Sequence, residues 1–423
     1  MECGLRRALD MATRSALRCL AFASLASLSS LVAAACSAGS DPSGFDEEPG
    51  DDGAGGEAPA GATASSADGV GGGFDPSGGT GGGSCTSSPE LDTDGDGFRG
   101  TDGDCNDCDP NVNPAAIEVV VTEPGEDGEV PAPADEDCNG TIDELIEPCD
   151  AGLALDDPDA LHGAAAIELC RKADDGMWGV ASAAYVRADG SPATSSLQVG
   201  VMPTFGNSVL TQRGESMLVL SSGHARVPGQ TGACKENSCS GFGAGTPPPG
   251  FPQDVPGCAG DTAINDDVGL EVKMIAPSNA TGYSFDFDFY SFEYPEWVCT
   301  DFNDQFIALV SPPPMGSVNG NISFDSMSNP VSVNIAFFQV CAGCALGEAE
   351  LGGTGFGGGW GDDAGATSWL KTTAPVEGGQ ELTIRFAIWD TGDDAWDSTV
   401  LVDNFQWIAT GGTVTVDTTP VPK

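Results

Sequence analysis

Basic residues are scarce in this sequence. Its 423 residues include 15 lysines and arginines against 64 aspartates and glutamates, which gives a formal net charge of -49. Proteins that bind nucleic acid need lysine and arginine to neutralise phosphates, so the charge balance argues strongly against a nucleic-acid partner. It also disfavours direct binding to an anionic membrane surface. Carboxylates in such excess keep a chain soluble, or they collect divalent cations.

Signals for helices and for catalysis are also scarce. The 60 glycines and 29 prolines favour turns and long irregular segments over helices. The chain has two histidines, His162 and His224, and the letters SSGHA around the second do not form the nucleophile elbow of a serine hydrolase. We therefore predict that the protein is not an enzyme.

One apolar run, from Cys19 to Ala35, is too short to span a membrane comfortably. It follows Arg14 and Arg18, and these features together predict an export signal over residues 1–35. The run ends in the letters AAAC, which resemble a bacterial lipobox and imply that Cys36 is lipidated. The same letters also satisfy the A-x-A rule for ordinary secretion.

The number of cysteines favours the lipidated form. Of the 15 cysteines, Cys3 and Cys19 are lost with the signal, and 13 remain. If Cys36 carries lipid, 12 are left to pair, and an even set in an exported protein favours disulfides. We therefore predict a lipoprotein of the bacterial cell envelope, anchored at the outer membrane or cell surface, with free secretion as the alternative.

Residues 36–90 predict a disordered tether that begins with the lipidated cysteine. The segment is rich in Gly, Ser, Asp and Pro, and residues 37–90 contain no lysine or arginine. Such a composition cannot bury enough apolar surface to fold. A flexible coil of this length spans roughly 40 Å, enough to hold a domain away from a membrane.

Residues 91–147 carry the most specific chemical signal, which begins LDTDGDGFRGTDGDC. Asp92, Asp94 and Asp96 occupy the first, third and fifth positions of a calcium loop, and the carbonyl group of Phe98 falls at the seventh. The twelfth position has no glutamate, so this is not an EF-hand. Either Asp102 or Asp104 is then needed to complete the ligand shell.

A second half-site follows in the letters ADEDCNGTIDE. Its candidate ligands are Asp135, Asp137, Asn139 and Asp143. Hard oxygen donors of this kind suit calcium. We therefore predict a small calcium-binding module over residues 91–147, with acidic turns that hold no ion, or a different metal, as the alternatives.

The whole stretch resembles the metal-binding motif of exported bacterial proteins that is called the MopE-type motif. The chain departs from the usual pattern at Asn106 and Cys108, in an acidic insertion near Glu123–Glu129, and at Asn139. The family has an association with copper, but carboxylates and amides suit calcium better. Cys105 and Cys138 stand at corresponding places in the two halves, so we expect a disulfide between them, with zinc at Cys105 and Cys108 as the weaker alternative.

The remainder, residues 148–411, predicts strands. In the letters YSFDFDFYS, the side chains of Phe285, Phe287 and Phe289 alternate with those of two aspartates, which indicates a strand with one buried face and one wet face. Further strands are expected at 177–190, 217–220, 306–310, 332–340, 381–390 and 398–409, and one short helix within 159–173. Short strands separated by turn-rich loops predict an all-β, jelly-roll-like sandwich, followed by a C-terminal tail at 412–423.

Two blocks resemble the choice-of-anchor L domain of bacterial surface proteins. The first, FEYPEWVCTDFNDQF, matches at Glu293, Tyr294, Glu296, Val298, Phe302, Asn303, Asp304 and Phe306. The second, DTGDDAWDSTVLVD, matches at Asp390, Gly392, Asp393, Asp397, Ser398, Val400 and Asp403. The resemblance spans roughly residues 175–410 and implies an exported, β-rich domain in proteins that use varied anchors, with no established reaction.

The second block also supplies candidate calcium ligands, with solvated turn acids as the alternative. They are Asp390, Asp393, Asp397 and Asp403. Three tryptophans offer surfaces for stacking on sugars, although tryptophan in a sandwich more often fills the core. They are Trp297, Trp360 and Trp396.

The sequence as a whole predicts a cell-surface protein that binds an unidentified glycan or protein, or builds surface matrix. Its contact with a membrane is expected only through the N-terminal lipid. One rival is a carbohydrate-active hydrolase with Glu293 and Glu296 as acid and base. The other rival is a dedicated metal-scavenging protein.

Overall fold

The computed structural model describes residues 85–122, 124, 130–174, 177–335, 337–357, 363–409 and 411–422. All of them belong to one compact unit, Val70–Lys423. Several predictions lie outside the described residues. These are the export signal, lipidated Cys36, the tether up to residue 84, most of the acidic insertion and Trp360.

Strands dominate the described residues, and one α-helix, α1 (Ala160–Ala165), accompanies them. The strands are β1 (Gly179–Val186), β2 (Val199–Met202), β3 (Thr204–Phe205), β4 (Val209–Leu210), β5 (Met217–Ser221), β6 (Ile264–Ile275), β7 (Gly282–Ser291), β8 (Gln305–Ser311), β9 (Val331–Ser332), β10 (Gly365–Ala366), β11 (Leu370–Pro375), β12 (Glu381–Thr391), β13 (Ser398–Ile408) and β14 (Asp417–Pro420). Three short 3-10 helices lie at Gly100–Asp102, Ser196–Gln198 and Ala349–Leu351. The part of the chain that is described has no helix long and apolar enough to cross a membrane.

Two antiparallel sheets form the sandwich. The first has the order β1-β6-β12-β8-β9, and the second has the order β14-β11-β7-β13-β5-β2, with β10 also beside β7. The consecutive strands β6, β7 and β8 alternate between the sheets, and so do β11, β12 and β13. This crossing of the chain from sheet to sheet is what a jelly-roll-like topology requires. The predicted all-β sandwich is confirmed.

The phenylalanines of β7 form the centre of the core. Phe285 packs edge to face on Phe386 of the opposite sheet, with ring centroids 5.0 Å apart. Phe287 contacts Phe306 at 5.1 Å. The predicted burial of this face is confirmed, because period-two alternation places all of these rings on one side of the strand.

The predicted wet face of β7 is wrong. Asp286 and Asp288 are buried, and all ten residues of the strand are inaccessible. A second apolar layer, which includes Phe205 and Phe356, covers this side of the sheet. Asp286 is compensated by the Lys371 ammonium at 2.8 Å. The alternation is therefore real, but both faces are covered.

Some of the other predicted elements are confirmed and one is wrong. The continuous apolar run at 217–220 becomes β5, the two C-terminal alternating runs become β12 and β13, and the helix forms only at Ala160–Ala165. The strand predicted at 332–340 is wrong beyond Ser332, since its described part continues as turns. There the side chain of Asn334 accepts from the backbone N–H of Cys299, and the backbone N–H of Asn334 donates to the side chain of Asn303. These bonds to residues distant in sequence take the place of a strand ladder. Residues 417–420, placed in a tail by the sequence, form β14 beside β11.

Residues 85–147 pack against the sandwich as loops. The side-chain amide of Asn279 accepts from the N–H of Ile117 at 3.0 Å and donates to its carbonyl group at 2.8 Å. The indole N–H of Trp178 donates to Ala116. A small apolar cluster, which contains Ile117, Val119 and Trp178, completes the junction. The acidic loops are therefore attached through specific bonds rather than held only by the chain.

Disulfides hold the loops of both parts. The twelve described cysteines pair as Cys85–Cys108, Cys105–Cys138, Cys149–Cys170, Cys234–Cys239, Cys258–Cys299 and Cys341–Cys344. The predicted use of cysteine for disulfides is confirmed. The zinc alternative fails, because both of its cysteines are bonded to other cysteines and neither is a free thiolate.

Candidate functional site

The first acidic loop wraps around the side chain of Asp92. One carboxylate oxygen accepts from the N–H of Gly95 at 2.7 Å, and the other accepts from the N–H of Gly97 at 3.1 Å. Both glycines have positive φ, at 85° and 99°, a conformation that other residues adopt only with strain. Glycine at these two positions lets the loop turn tightly enough to bring its carboxylates together.

Two overlapping groups of carboxylates result. Oxygens of Asp92, Asp94 and Asp96 lie within 4.8 Å of one another, and so do oxygens of Asp94, Asp104 and Asp107. Burial, and repulsion from Asp96, raise the pKa of Asp94 to about 6. One oxygen each of Asp94, Asp96 and Asp104 is buried and accepts no hydrogen bond from the described residues. These unsatisfied hard oxygens fit a divalent cation such as calcium.

The structure distinguishes between the two aspartates that the sequence offered to complete the ligand shell of the first loop. Asp102 is exposed, lies 3.9 Å from Arg99 and is not part of either group. Asp104 is in the second group, together with Asp107, which the sequence did not single out. Phe98 follows the loop, and its N–H donates to Asp96 at 2.8 Å.

The second half-site is organised by Glu118, which lies far from it in sequence. Its two carboxylate oxygens accept from the N–H groups of Asp137 and Asp143, at 3.1 and 2.7 Å. Its oxygens are grouped with those of Glu136 and Asp143, and also with those of Asp137 and Glu144. Burial raises the pKa of Glu118. Sequence reasoning did not include Glu118 among the candidate ligands, although it stands within the stretch that resembles the MopE-type motif.

The other two predicted ligands shape the turn. Asp135 accepts from the N–H groups of Asn139 and Gly140, at 3.0 and 2.9 Å. Asn139 in turn accepts from the N–H of Thr141 and donates its amide to Glu144. The disulfide between Cys105 and Cys138 links this turn to the first loop. The two halves therefore form one cross-linked acidic module.

A different set of carboxylates is buried inside the sandwich. Asp304 precedes β8, and its two oxygens accept from the N–H of Thr391 at 2.9 Å and from the hydroxyl of Ser398 at 2.6 Å. These bonds tie the loop after β7 to the ends of β12 and β13. Burial raises the pKa of Asp304 to about 7, and the hydrogen bond from Ser398 opposes that rise. The two sequence blocks thus meet at this residue.

Three more acids surround Asp304. Glu293, Asp390 and Asp397 are 3%, 1% and 4% exposed. Burial raises the pKa of Glu293 to about 10, that of Asp397 to about 8, and that of Asp390 well above its usual range. Asp393 belongs to the same turn but is exposed, and it accepts from the N–H of Ala395. We call Glu293, Asp304, Asp390 and Asp397 the buried acid cluster.

The remaining predicted ligand, Asp403, lies elsewhere. It stands six residues beyond Asp397 along β13, a separation of about 20 Å in a strand. Its carboxylate accepts from the N–H groups of Gln212 and Asn404, and its charge acts on buried Glu168. The structure therefore does not bring the four predicted acids of the second block into one site.

The local setting of Glu293 does not fit a glycosidase acid. Glu293 is buried in the acid cluster, whereas Glu296 is exposed on the same loop. Trp297 and Trp396 are half-buried and pack edge to face on each other, with ring centroids 5.3 Å apart. Their contact stabilises the loop that carries Glu293.

The profile of the choice-of-anchor L domain family matches residues 193–405, which is about half of the chain. The chain belongs to the choice-of-anchor L domain family. This family is a non-catalytic family of surface domains, so the protein is surface-associated. Both sequence blocks and the buried acid cluster lie inside the matched region, whereas the acidic module lies before it.

Comparisons beyond the family are uninformative. No curated protein matches the choice-of-anchor L chain. A solved structure, the enzymatically active domain of tailspike protein 4 from bacteriophage CBA120, aligns with a TM-score of 0.19 and 9% identity. The alignment covers 54% of this chain and 19% of that chain. A likeness at this level carries no argument about fold or function.

A groove separates the acidic module from the choice-of-anchor L domain. Its volume is about 150 Å³, and its lining includes Ile117 and Leu145 of the acidic module together with Trp178, Arg213 and Trp407. This groove brings side chains of both parts within reach of one bound molecule.

Proposed function

We propose that this protein is an exported, lipid-anchored cell-surface protein whose acidic module binds calcium and whose sandwich binds a partner or builds surface matrix. It carries out no reaction of its own. A tether holds the folded part away from the membrane, and calcium fixes the acidic loops. The partner is a glycan or a protein of the cell surface.

The unsatisfied oxygens of the acidic module carry the calcium part of this proposal. Asp94, Asp96 and Asp104 each hold a buried oxygen that accepts no hydrogen bond from any described residue. A buried carboxylate oxygen without a donor is costly unless a proton or a cation compensates it. The ligands are oxygens only, which favours calcium over copper.

The disulfides support the lipid anchor. All twelve described cysteines are bonded to one another, so none of them is available to Cys36. An exported protein with one remaining cysteine would carry a reactive thiol unless that cysteine were modified. Lipidation of Cys36 removes this thiol and supplies the anchor.

Thermal unfolding tests the calcium assignment. We expect the melting temperature of the oxidised, exported chain to fall with EDTA and to rise again with calcium, by linkage of ligand to the folded state. A double variant, Asp94→Asn with Asp104→Asn, should lose much of that rise, because it removes the ligand shared by the two carboxylate groups of the first loop. Calcium at 100 times its dissociation constant stabilises a folded protein by about 2.7 kcal/mol, which sets the size of the effect per site.

Asp102→Asn is the matched control. Asp102 lies in the same loop, but it is exposed and belongs to neither carboxylate group, so the calcium response should persist. An unchanged response in the double variant would contradict the assignment. A shift with copper and none with calcium would favour the metal scavenger instead, and glycan cleavage by the purified chain would favour the hydrolase.

A further inference from the structure

The buried acid cluster contains more charge than its surroundings compensate. Asp390 and Asp397 lie at the end of β12 and the start of β13, and Glu293 reaches them from the loop after β7. None of the ion pairs between described residues includes a member of this cluster. Carboxylates removed from water without a counter-charge must take up protons or bind a cation.

The unsatisfied atoms of the cluster point to a ligand. Both oxygens of Asp390, one of Asp397 and one of Glu293 are buried and accept no hydrogen bond of normal geometry from the described part of the chain. The hydroxyl of Ser222, which lies beside Asp390, donates to the carbonyl group of Ser398. Four unsatisfied oxygens therefore remain on three buried side chains whose charges act on one another.

Hydrogen bonds and a closely packed glycine hold the side chains of Asp397 and Asp304 in position. The second oxygen of Asp397 accepts from the N–H of Cys239 at 2.8 Å, which leaves the first oxygen unsatisfied. A Cβ atom at Gly223 would lie 1.7 Å from this carboxylate, so only glycine fits there. Asp304, held by Thr391 and Ser398, faces the same region. The cluster is thus a positioned set of groups and not a collection of surface acids.

We propose that Glu293, Asp390 and Asp397, positioned with Asp304, bind a calcium ion that fastens the loop after β7 to the ends of β12 and β13. The site is independent of the acidic module. Its chemistry is that of hard oxygen ligands, without nitrogen or sulfur, which selects calcium or a similar divalent cation. The bound ion is structural, because it joins three segments of the family domain.

A small cavity borders one member of the cluster, Asp397. Asp397 and Ser221 line a cavity of about 30 Å³ that His224 also borders, which is room for a water molecule or an ion. Among the described residues, no three oxygens of the cluster yet lie within 4.8 Å of one another. Binding is therefore expected to draw the carboxylates inward and to tighten the loop.

Terbium luminescence provides the test, because terbium occupies calcium sites and emits when a nearby tryptophan is excited. Trp389 precedes Asp390 and Trp396 precedes Asp397, so an ion in this cluster lies close to both. We expect tryptophan-sensitised emission from the full exported chain, displaced by calcium. Asp390→Asn removes a proposed direct ligand, so it should weaken terbium binding and remove one bound calcium per chain. Glu293→Gln should act in the same direction.

Asp393→Asn is the matched control, since Asp393 belongs to the same turn but is exposed, and it should keep the emission. If folded Asp390→Asn and Glu293→Gln chains keep the terbium emission and the calcium content of the wild type, the proposal is overturned. A triple variant of the acidic module, Asp94→Asn, Asp104→Asn and Glu118→Gln, leaves the sandwich intact. It should still bind one calcium ion, and a chain that then binds none would equally overturn the site. Loss of all calcium binding in the triple variant would remain consistent with a calcium site in the acidic module.

Discussion

Asp288 shows most clearly what burial does to a single acid in this protein. It lies in the middle of β7, with no exposed surface. Its carboxylate accepts from the hydroxyl groups of Tyr290 at 2.8 Å and Thr367 at 3.2 Å, and Glu350 is the neighbouring charge. Burial and repulsion from Glu350 raise the pKa of Asp288 well above its usual range.

The raised pKa predicts how stability depends on pH. The folded chain keeps a proton on Asp288 that the unfolded chain releases at about pH 4. This group's contribution is therefore fully present at lower pH and is lost as the pH rises through the folded pKa. Asp288→Asn keeps a hydrogen-bond acceptor but cannot titrate. The free energy of unfolding of this variant should therefore rise relative to that of the wild type as the pH increases above about 4.

Urea unfolding at several pH values between 4 and 8 checks this expectation. The control is Asp417→Asn, at an exposed position of β14, which should leave the pH dependence unchanged. A constant difference between Asp288→Asn and the wild type at every pH would show that Asp288 is ionised in the folded protein.

At the scale of elements, the turn between β6 and β7 controls the attachment of the acidic module. Asn279 bonds to both backbone groups of Ile117 and is 4% exposed. Asn279→Ala leaves that N–H and that carbonyl group without their partner, and a buried polar group left unpaired costs about 1–3 kcal/mol. We expect a loss of about 2 kcal/mol for detachment of the module, measured by hydrogen exchange of the Ile117 amide.

Asn265→Ala is the comparison for this prediction. The Asn265 side chain donates one exposed hydrogen bond, to the carbonyl group of Asp393, and its removal should cost less than about 1 kcal/mol. If both variants leave the exchange rate of Ile117 unchanged, the bonds of Asn279 do not hold the module in place.

Strands whose pattern reflects burial could be predicted from the sequence. The run at 217–220 and the alternation of Phe285 and Phe287 follow directly from which side chains avoid water, and β5 and β7 are where these patterns place them. The same pattern could not reveal that a second apolar layer covers Asp288, because that layer comes from distant residues. The strand predicted at 332–340 fails because Asn334 bonds to Cys299 and Asn303, which are distant in sequence and which the local pattern could not reveal.

Whether a candidate site could be predicted from the sequence depends on how far apart its residues lie along the chain. Asp92, Asp94 and Asp96 could be predicted, because a tight loop brings residues two apart to one centre. The sequence did not include Glu118 or Glu293 among the candidate ligands, since only the folded chain brings them close to the other acids. The sequence grouped Asp403 with Asp390, Asp393 and Asp397, but six residues of strand carry it far from Asp397.

For the whole molecule, the proposed lipid anchor at Cys36 is the feature that would decide location. We expect the unaltered protein to enter the detergent phase on phase separation, because acyl chains on Cys36 bury many methylene groups. Cys36→Ser should shift the protein to the aqueous phase and abolish labelling by fatty acid. Ser37→Ala serves as the control and should leave both unchanged. A Cys36→Ser chain that stays in the detergent phase would disprove the lipid anchor.

Strand β14 has a consequence for how copies of the protein meet. An open strand edge presents unpaired N–H and C=O groups that a neighbouring chain can extend into fibres. Here β14 covers β11 at one edge of the second sheet. At the other edge, the N–H of Val201 in β2 donates to the carbonyl group of Leu155. The outermost strand at the first of these edges is then β14 itself, which has only four residues and ends in Pro420, and a short edge strand with a proline limits further pairing with a neighbouring chain.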